Sequence, residues 1–533
     1  MSIPLSAPGN TSNASRPSAT HTSLNKATIF AVGFAVCLAQ IGLAVPATLN
    51  GTFQNVLHPT GASQLDWISD CTLLPIAALE LTFGVLGDLF GRKKLLVGGA
   101  LLMLVGEAVS GTATGVGQMY VGQFVAGLGS AALFPTTLAI IASGSHTHAG
   151  RARMIALWAA LLSTGNFIAP MLGGLTATYG SWRLAFWIIV ILAAADAVFS
   201  YFFASDSRSP EGRSLDMPGQ LTVGLALFAL LYAVIEGPTA GWGSPIIVGS
   251  FIVAAVLLVA FVVIEQRVAA PLLRMDLFRN RAFALASAVT VLGMFSFLGT
   301  AYAISIRMEV IQHQSALRTA FAFILLSGLT IFLLPLTSFM MARYQPRWIL
   351  GGGFLLMAVG QFLAAELPIT ETTLPPLILP MGLVGVGFSF AVSSVTATVV
   401  NTVPGKLAGM AAATTSMVRD FGFAMGPALI GAVALSRTAG SFNSSLADAP
   451  SLASVKAAAE EAGAVATNSV PSDVPFSKAA PLAVKALDHG YSLGFLICAI
   501  AALVCCVVTV AVLGGKQEQE EEIAMIESDP AAA

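Results

Sequence analysis

Gly84–Lys94 reads GVLGDLFGRKK, and the chain's arrangement can be worked out from this stretch. An apolar run ends on Asp88, the chain turns at Gly91, and Arg92, Lys93 and Lys94 follow before a second apolar run begins. Gly84 and Gly87 let one helix approach another closely, as small residues do inside membranes. A carboxylate at Asp88 stands where it can accept bonds from a facing helix N-terminus. The three cations suit an anionic inner membrane surface. Topology anchoring alone would account for the cations but not for the Gly/Asp spacing.

Both flanking runs are long enough to cross a bilayer, and they are two of many. The 533 residues are 56% hydrophobic and 10% charged, with a mean hydropathy of +0.83. A water-soluble domain carries roughly 25% charged residues, so lipid is the solvent this composition fits. Taking about 20 apolar residues per crossing, spans fall near 27–48, 67–87, 94–113, 118–142, 153–177, 183–204, 217–236 and 245–266. Six more fall near 282–306, 318–342, 347–366, 375–400, 406–435 and 490–514, giving fourteen. With the N-terminus in the cytoplasm, Arg92, Lys93, Lys94, Arg151, Arg153, Arg208, Arg213, Arg267, Arg274, Arg279, Arg281, Arg343, Arg347 and Lys406 all lie inside. That bias places both termini in the cytoplasm.

The chain also repeats itself. Leu95–Glu107 (LLVGGALLMLVGE) is echoed by Ile349–Gln361 (ILGGGFLLMAVGQ), and Gly127–Gly129 by Gly385–Gly387. GNFIAPMLGG from Gly165 is echoed by GFAMGPALIG from Gly422. The offsets are nearly equal and the order is preserved, so the third, fourth and fifth spans correspond to the eleventh, twelfth and thirteenth. The expected fold is an all-α membrane protein of two six-helix bundles, 27–204 and 282–514, with two inserted helices in 217–266. Residues 1–26 read as a polar, disordered cytoplasmic N-terminus without a signal peptide, 436–489 as a long outer loop, and 515–533 as an acidic cytoplasmic tail. Parallel halves of this kind suit a rocking carrier with its substrate at their interface.

Gly84–Lys94 resembles the signature loop of the major facilitator superfamily, which latches the two bundles in the outward-facing state. The resemblance gives that latch role to Gly84, Asp88, Gly91 and Arg92. The second half keeps only Pro346-Arg347-Trp348 there, with Ala342 at the position of Asp88. Gly165, Ala169, Pro170, Gly173 and Gly174, followed by Ser181-Trp182-Arg183, resemble the antiporter motif of proton-coupled drug exporters, with Ala169 in place of a glycine. Trp67, Trp242 and the stretch Glu265–Phe283 widen the resemblance to the fourteen-span drug:proton antiporter family. It implies export of hydrophobic or amphipathic small molecules (drugs, antibiotics, toxic compounds) in exchange for protons, by a monomer in the cell membrane. Transport of a single metabolite and a transport-incompetent sensor are the rival expectations.

Two positions depart from that family. Gln123 stands where an Arg is usual in the fourth span, and Cys37 where an acid is frequent in the first, with Gln40 one turn on. Proton coupling therefore falls to other intramembrane acids: Glu80, Glu107, Asp196 and Glu309. An ionised group at depth costs roughly 2.5–3.5 kcal/mol on insertion scales, so each must line a cavity, find a partner or take up a proton. Glu80 and Glu107 are the first choices. Glu309 reads equally as an outer-rim residue and Asp196 as a helix-facing one. Asp70, Gln123, Arg307, Arg419 and Asp420 are candidates for substrate contact or for structural pairing. His313 would join Glu309 if the ninth helix ran that far. The five cysteines sit in apolar runs, without the spacing of a zinc site or a disulfide framework. No nucleophile–base set, phosphate loop, cofactor motif or basic stripe for nucleic acid is found, which argues against an enzyme.

Overall fold

The computed structural model describes residues 25–59, 63–143, 148–206, 215–268, 271–400 and 408–512. Residues 1–24 of the expected cytoplasmic start, the acidic tail, and the loop residues Arg208, Arg213 and Lys406 lie outside the described residues. Within them the chain is helical throughout, with no strand.

The first bundle holds α1 (Lys26–Ala44), α2 (Ser63–Phe90), α3 (Arg92–Gly111), α4 (Val116–Ser143), α5 (His148–Tyr179) and α6 (Trp182–Phe203). The inserted pair is α7 (Met217–Ala240) and α8 (Pro245–Glu265). The second bundle holds α9 (Arg281–Ser305), α10 (Ala316–Phe323 with Leu329–Arg343), α11 (Pro346–Glu366), α12 (Pro375–Val400), α13 (Ala408–Ala447) and α14 (Ala480–Val512). Among the described residues thirteen helices are long and apolar enough to cross a membrane. The 32-residue α5 is the fourteenth long helix, packed between α1 and α10.

Local chemistry sets the ends. The Asn25, Asp216 and Asn280 side chains accept backbone N–H groups in the first turns of α1, α7 and α9, satisfying donors that would otherwise be orphaned. Gly91, at φ 110°, makes the break between α2 and α3 that a side chain would resist.

The internal repeat reappears as packing. α3 packs on α4 and α6, and α11 packs in the same way on α12 and α14; α1 on α5 is matched by α9 on α13. The small residues of the repeat explain the closest of these contacts. A Cβ placed on Gly99 would lie 3.0 Å from the Gly129 carbonyl oxygen, and one on Gly353 would lie 2.7 Å from that of Gly387. The bundles meet mainly through α2 with α13 and α5 with α10. α7 packs on both α2 and α13, so the insertion touches both bundles. The more outlying α8 shows aliphatic side chains such as Ile252, Val256 and Val259 to the surroundings.

Three boundaries differ from expectation. α13 runs on to Ala447 and α14 begins at Ala480, so much of the expected loop 436–489 is helix. Its Ala-rich composition favours helix without being apolar enough to read as a span. α10 is broken, with Ala316–Phe323 and Leu329–Arg343 joined by the π turn Ile324–Gly328. α9 passes into a second π turn, Ile306–Ile311, and stops. His313 lies beyond it at φ 53°, so it does not continue the helical face of Glu309.

Candidate functional site

The helix ends carrying Arg92, Lys93 and Lys94 define a basic face; the opposite ends define a far face. Contacts between the bundles form two sets, one within the basic half and one at the far face.

The first set is a charged triad. Arg419 of α13 donates from Nε to Asp420 Oδ1 at 2.8 Å and from Nη2 to Asp420 Oδ2 at 3.2 Å. The same Nη2 is 3.9 Å from Glu80 Oε2 of α2. Glu80 and Asp420 are buried, and among the described residues Glu80 Oε2 accepts no hydrogen bond. Glu80 is ten residues from the basic end of α2, about 15 Å at helical rise. Two carboxyls share one guanidinium here, so a single proton makes the triad neutral.

The second set closes the far face. Asn50 Nδ2 donates to Ser305 Oγ at 3.0 Å, and Ser305 Oγ donates to the Ala47 carbonyl at 2.6 Å. The Gly51 N–H donates to Glu309 Oε2 at 2.6 Å. Tyr302 of α9 bonds Asp66 of α2, and the missing side chain of Gly431 on α13 leaves room for the Asp66 carboxylate. Deeper in, the Phe167 and Phe332 rings meet edge to face at 5.9 Å.

The antiporter-like stretch of α5 lies along this seam. Gly165 backs onto the Cys37 carbonyl and Gln40 of α1, and Gly173 onto Val45 and Thr48. Gly174 faces the other bundle, where a Cβ would lie 3.0 Å from the Ala316 carbonyl oxygen. Ala169 and Pro170 are buried between. In the latch-like stretch, Arg92 bonds Asp88 at 2.8 Å and reaches the Ala139 carbonyl of α4 at 3.3 Å. Gly84 packs on Pro135, so these contacts belong to the first bundle.

The other expected residues are scattered. Glu107 is fully buried, facing Gly42 of α1, with neither oxygen hydrogen-bonded among the described residues. Its repeat mate Gln361 donates to Ser296 Oγ at 2.8 Å and Thr300 Oγ1 at 2.9 Å. Ser296 stands at the repeat position of Gly42, so one copy has a hydroxyl where the other has nothing. Gln123 accepts from Thr72 at 2.8 Å and donates to Ser110 at 2.9 Å, tying α2, α3 and α4 together. Arg307 donates to the Pro368 carbonyl at 2.6 Å, beyond the end of α11. Asp196 is buried in α6 with Ser200 Oγ at 3.5 Å. Asp70 is fully buried, and neither of its oxygens is hydrogen-bonded among the described residues.

The structure thus joins Glu80, Arg419 and Asp420, and it brings Glu309 to the antiporter-like seam. It leaves Glu107, Asp196, Gln123 and Arg307 apart. Asp66 and Tyr302 escaped the sequence argument. The Asp66/Asp70 spacing of one helical turn was visible, but a second span begun at residue 67 left Asp66 outside it.

The model of the Major Facilitator Superfamily matches residues 29–427. The chain belongs to the major facilitator superfamily. It is 28% identical to the multidrug resistance protein Stp of Mycobacterium tuberculosis, over 70% of this chain and 69% of that protein. It is 27% identical to the tetracenomycin C resistance and export protein of Streptomyces glaucescens, over 93% of this chain and 92% of that one. It is also 28% identical to a methylenomycin A resistance protein of Bacillus subtilis, over 55% and 62%. In fold it is similar to a bacterial homologue of the human lysosomal transporter Spinster, with a TM-score of 0.62 at 13% identity, over 93% of this chain and 97% of that one. The protein is a multi-pass membrane transporter of this superfamily, with multidrug and antibiotic resistance proteins among its relatives.

Proposed function

We propose that this chain exports hydrophobic or amphipathic small molecules by alternating access, in exchange for protons. It works as a monomer in a cell membrane, with its basic face and both termini cytoplasmic and with lipid as its only other partner. The Glu80–Arg419–Asp420 triad carries the coupling part of this reading. It lies between the bundles, on the cytoplasmic half, and holds one acid more than its cation can neutralise. Taking up a proton there, or giving one up, changes the attraction between α2 and α13, the helices that must part as the bundles rock. Glu80 is thus the proton-bearing group, while Arg419 and Asp420 position it. The resistance proteins among the relatives support a lipophilic cargo.

The test is substrate-triggered proton movement in everted vesicles, followed with a pH-gradient dye and a panel of lipophilic cations, neutral antibiotics and weak acids. At least one compound should dissipate the gradient, and Glu80→Gln should abolish that while leaving substrate binding in place. Gradient dissipation that survives Glu80→Gln would remove the triad from the mechanism. A narrower reading is export of one compound class, favoured by the export protein that matches 93% of this chain. A response to one chemical class across the panel would select it.

A further inference from the structure

A polar cleft of 340 Å³ lies on the far seam. Thr52, Asn55 and Thr178 of the first bundle line one side, and Glu309, Gln314 and Ser315 of the second line the other. Glu309 lies at the bottom, only 3% exposed. Its Oε2 takes the Gly51 N–H, but Oε1 accepts no hydrogen bond that meets ordinary geometry among the described residues. The buried Thr319 hydroxyl lies beside the same carboxyl as a neutral donor.

The charged groups around the rim do not fill that gap. Arg318 is exposed and spends a donor on Gln314 Oε1 at 2.7 Å. His313 is exposed, with Nε2 3.2 Å from the Asn468 carbonyl. Neither bonds Glu309, so an ionised carboxylate here would have neutral donors but no counter-charge among the described residues. The side-chain oxygens lining the cleft are one carboxylate, two amides and three hydroxyls, all hard donors of the kind alkali and alkaline-earth ions take. A single carboxylate balances a single positive charge.

We infer that this cleft binds a monovalent metal cation such as Na⁺, and only while the far faces are together. Its walls belong to different bundles, so opening the far face pulls the donors apart. A ligand that binds one conformation alone shifts the population toward it. Cation on the far side therefore holds the far seam shut and slows its opening, a control separate from the proton-bearing triad.

The experiment uses the purified full-length protein with its five cysteines replaced and a reporter Thr48→Cys buried beneath the seam. Labelling by a membrane-impermeant maleimide is timed in NaCl and in N-methyl-D-glucamine chloride of equal ionic strength. Na⁺ should slow labelling on the order of fivefold, the low end of ordinary couplings between sites. Glu309→Gln should abolish the difference between the salts. Should that variant fail to fold, Asn55→Ala and Ser315→Ala should shrink the Na⁺ effect while the rate in N-methyl-D-glucamine holds. Without any substitution, NaCl should raise the melting temperature of the wild-type protein above that in the organic salt. Equal labelling rates, an unchanged melting temperature, or slowing that persists in Glu309→Gln each overturn the site. None of these readouts needs a substrate or a gradient, so a chain that exports nothing still passes or fails.

Discussion

At the residue scale, Glu107 and Gln361 are the same place in the two halves with opposite chemistry. Gln361 bonds Ser296 and Thr300, whereas Glu107 faces the bare backbone of Gly42. Leaving a buried donor or acceptor unpaired costs about 1–3 kcal/mol. Gln361→Leu should therefore lower the melting temperature of the purified protein measurably, because it removes the buried amide's bonds to both hydroxyls. Glu107→Gln breaks no bond and should leave that temperature unchanged or raised. A large loss of stability in Glu107→Gln would mean that its carboxyl has a partner after all. Gly51 is the second telling residue. A Cβ there would come within 3.0 Å of the Glu309 backbone carbonyl group. Gly51→Ala should force the far seam apart, and a reporter at Thr48→Cys should then label faster.

At the scale of elements, the spans and their repeat were legible because each depends on local chemistry. Twenty apolar residues mark a membrane helix wherever they lie, and Gly99 and Gly353 recur because each lets two backbones meet. The latch-like and antiporter-like stretches were legible for the same reason. Partnership was not legible. Nothing in the sequence joins Glu80 to Arg419, 339 positions away, or Tyr302 to Asp66, because those pairings depend on how two bundles dock. The π turns Ile306–Ile311 and Ile324–Gly328 were likewise hidden, since their composition is that of ordinary helix. The inserted hairpin offers a prediction at this scale. Gln220 of α7 bonds Thr82 and the Ala78 carbonyl of α2. Gln220→Leu removes both bonds, each worth about 1 kcal/mol net. It should make α7 more open to protease or hydrogen exchange while the two bundles keep their own protection. Uniform loosening of all three parts would show that the hairpin is not a separate unit.

For the whole molecule, alternating access requires the far seam to break once in every cycle. Asn50 and Ser305 are bonded across it at 3.0 Å, which makes them a suitable pair for a tether. In a background without native cysteines, Asn50→Cys with Ser305→Cys should cross-link under oxidation, stop transport completely, and recover on reduction. Either single substitution should transport with and without oxidant. Continued export by the cross-linked protein would show that the bundles do not part there.

The inserted α7 rests on α2 of one bundle and α13 of the other, while α8 spreads its aliphatic flank outward. A rocking motion cannot leave such a passenger still: one of its two footings must slip, or the hairpin must travel sideways. Travel means ploughing a two-helix keel through the acyl chains with every stroke. In the rocking cycle proposed above, viscous drag from the bilayer would enter the turnover rate through the hairpin, a brake that two six-helix bundles alone would not carry.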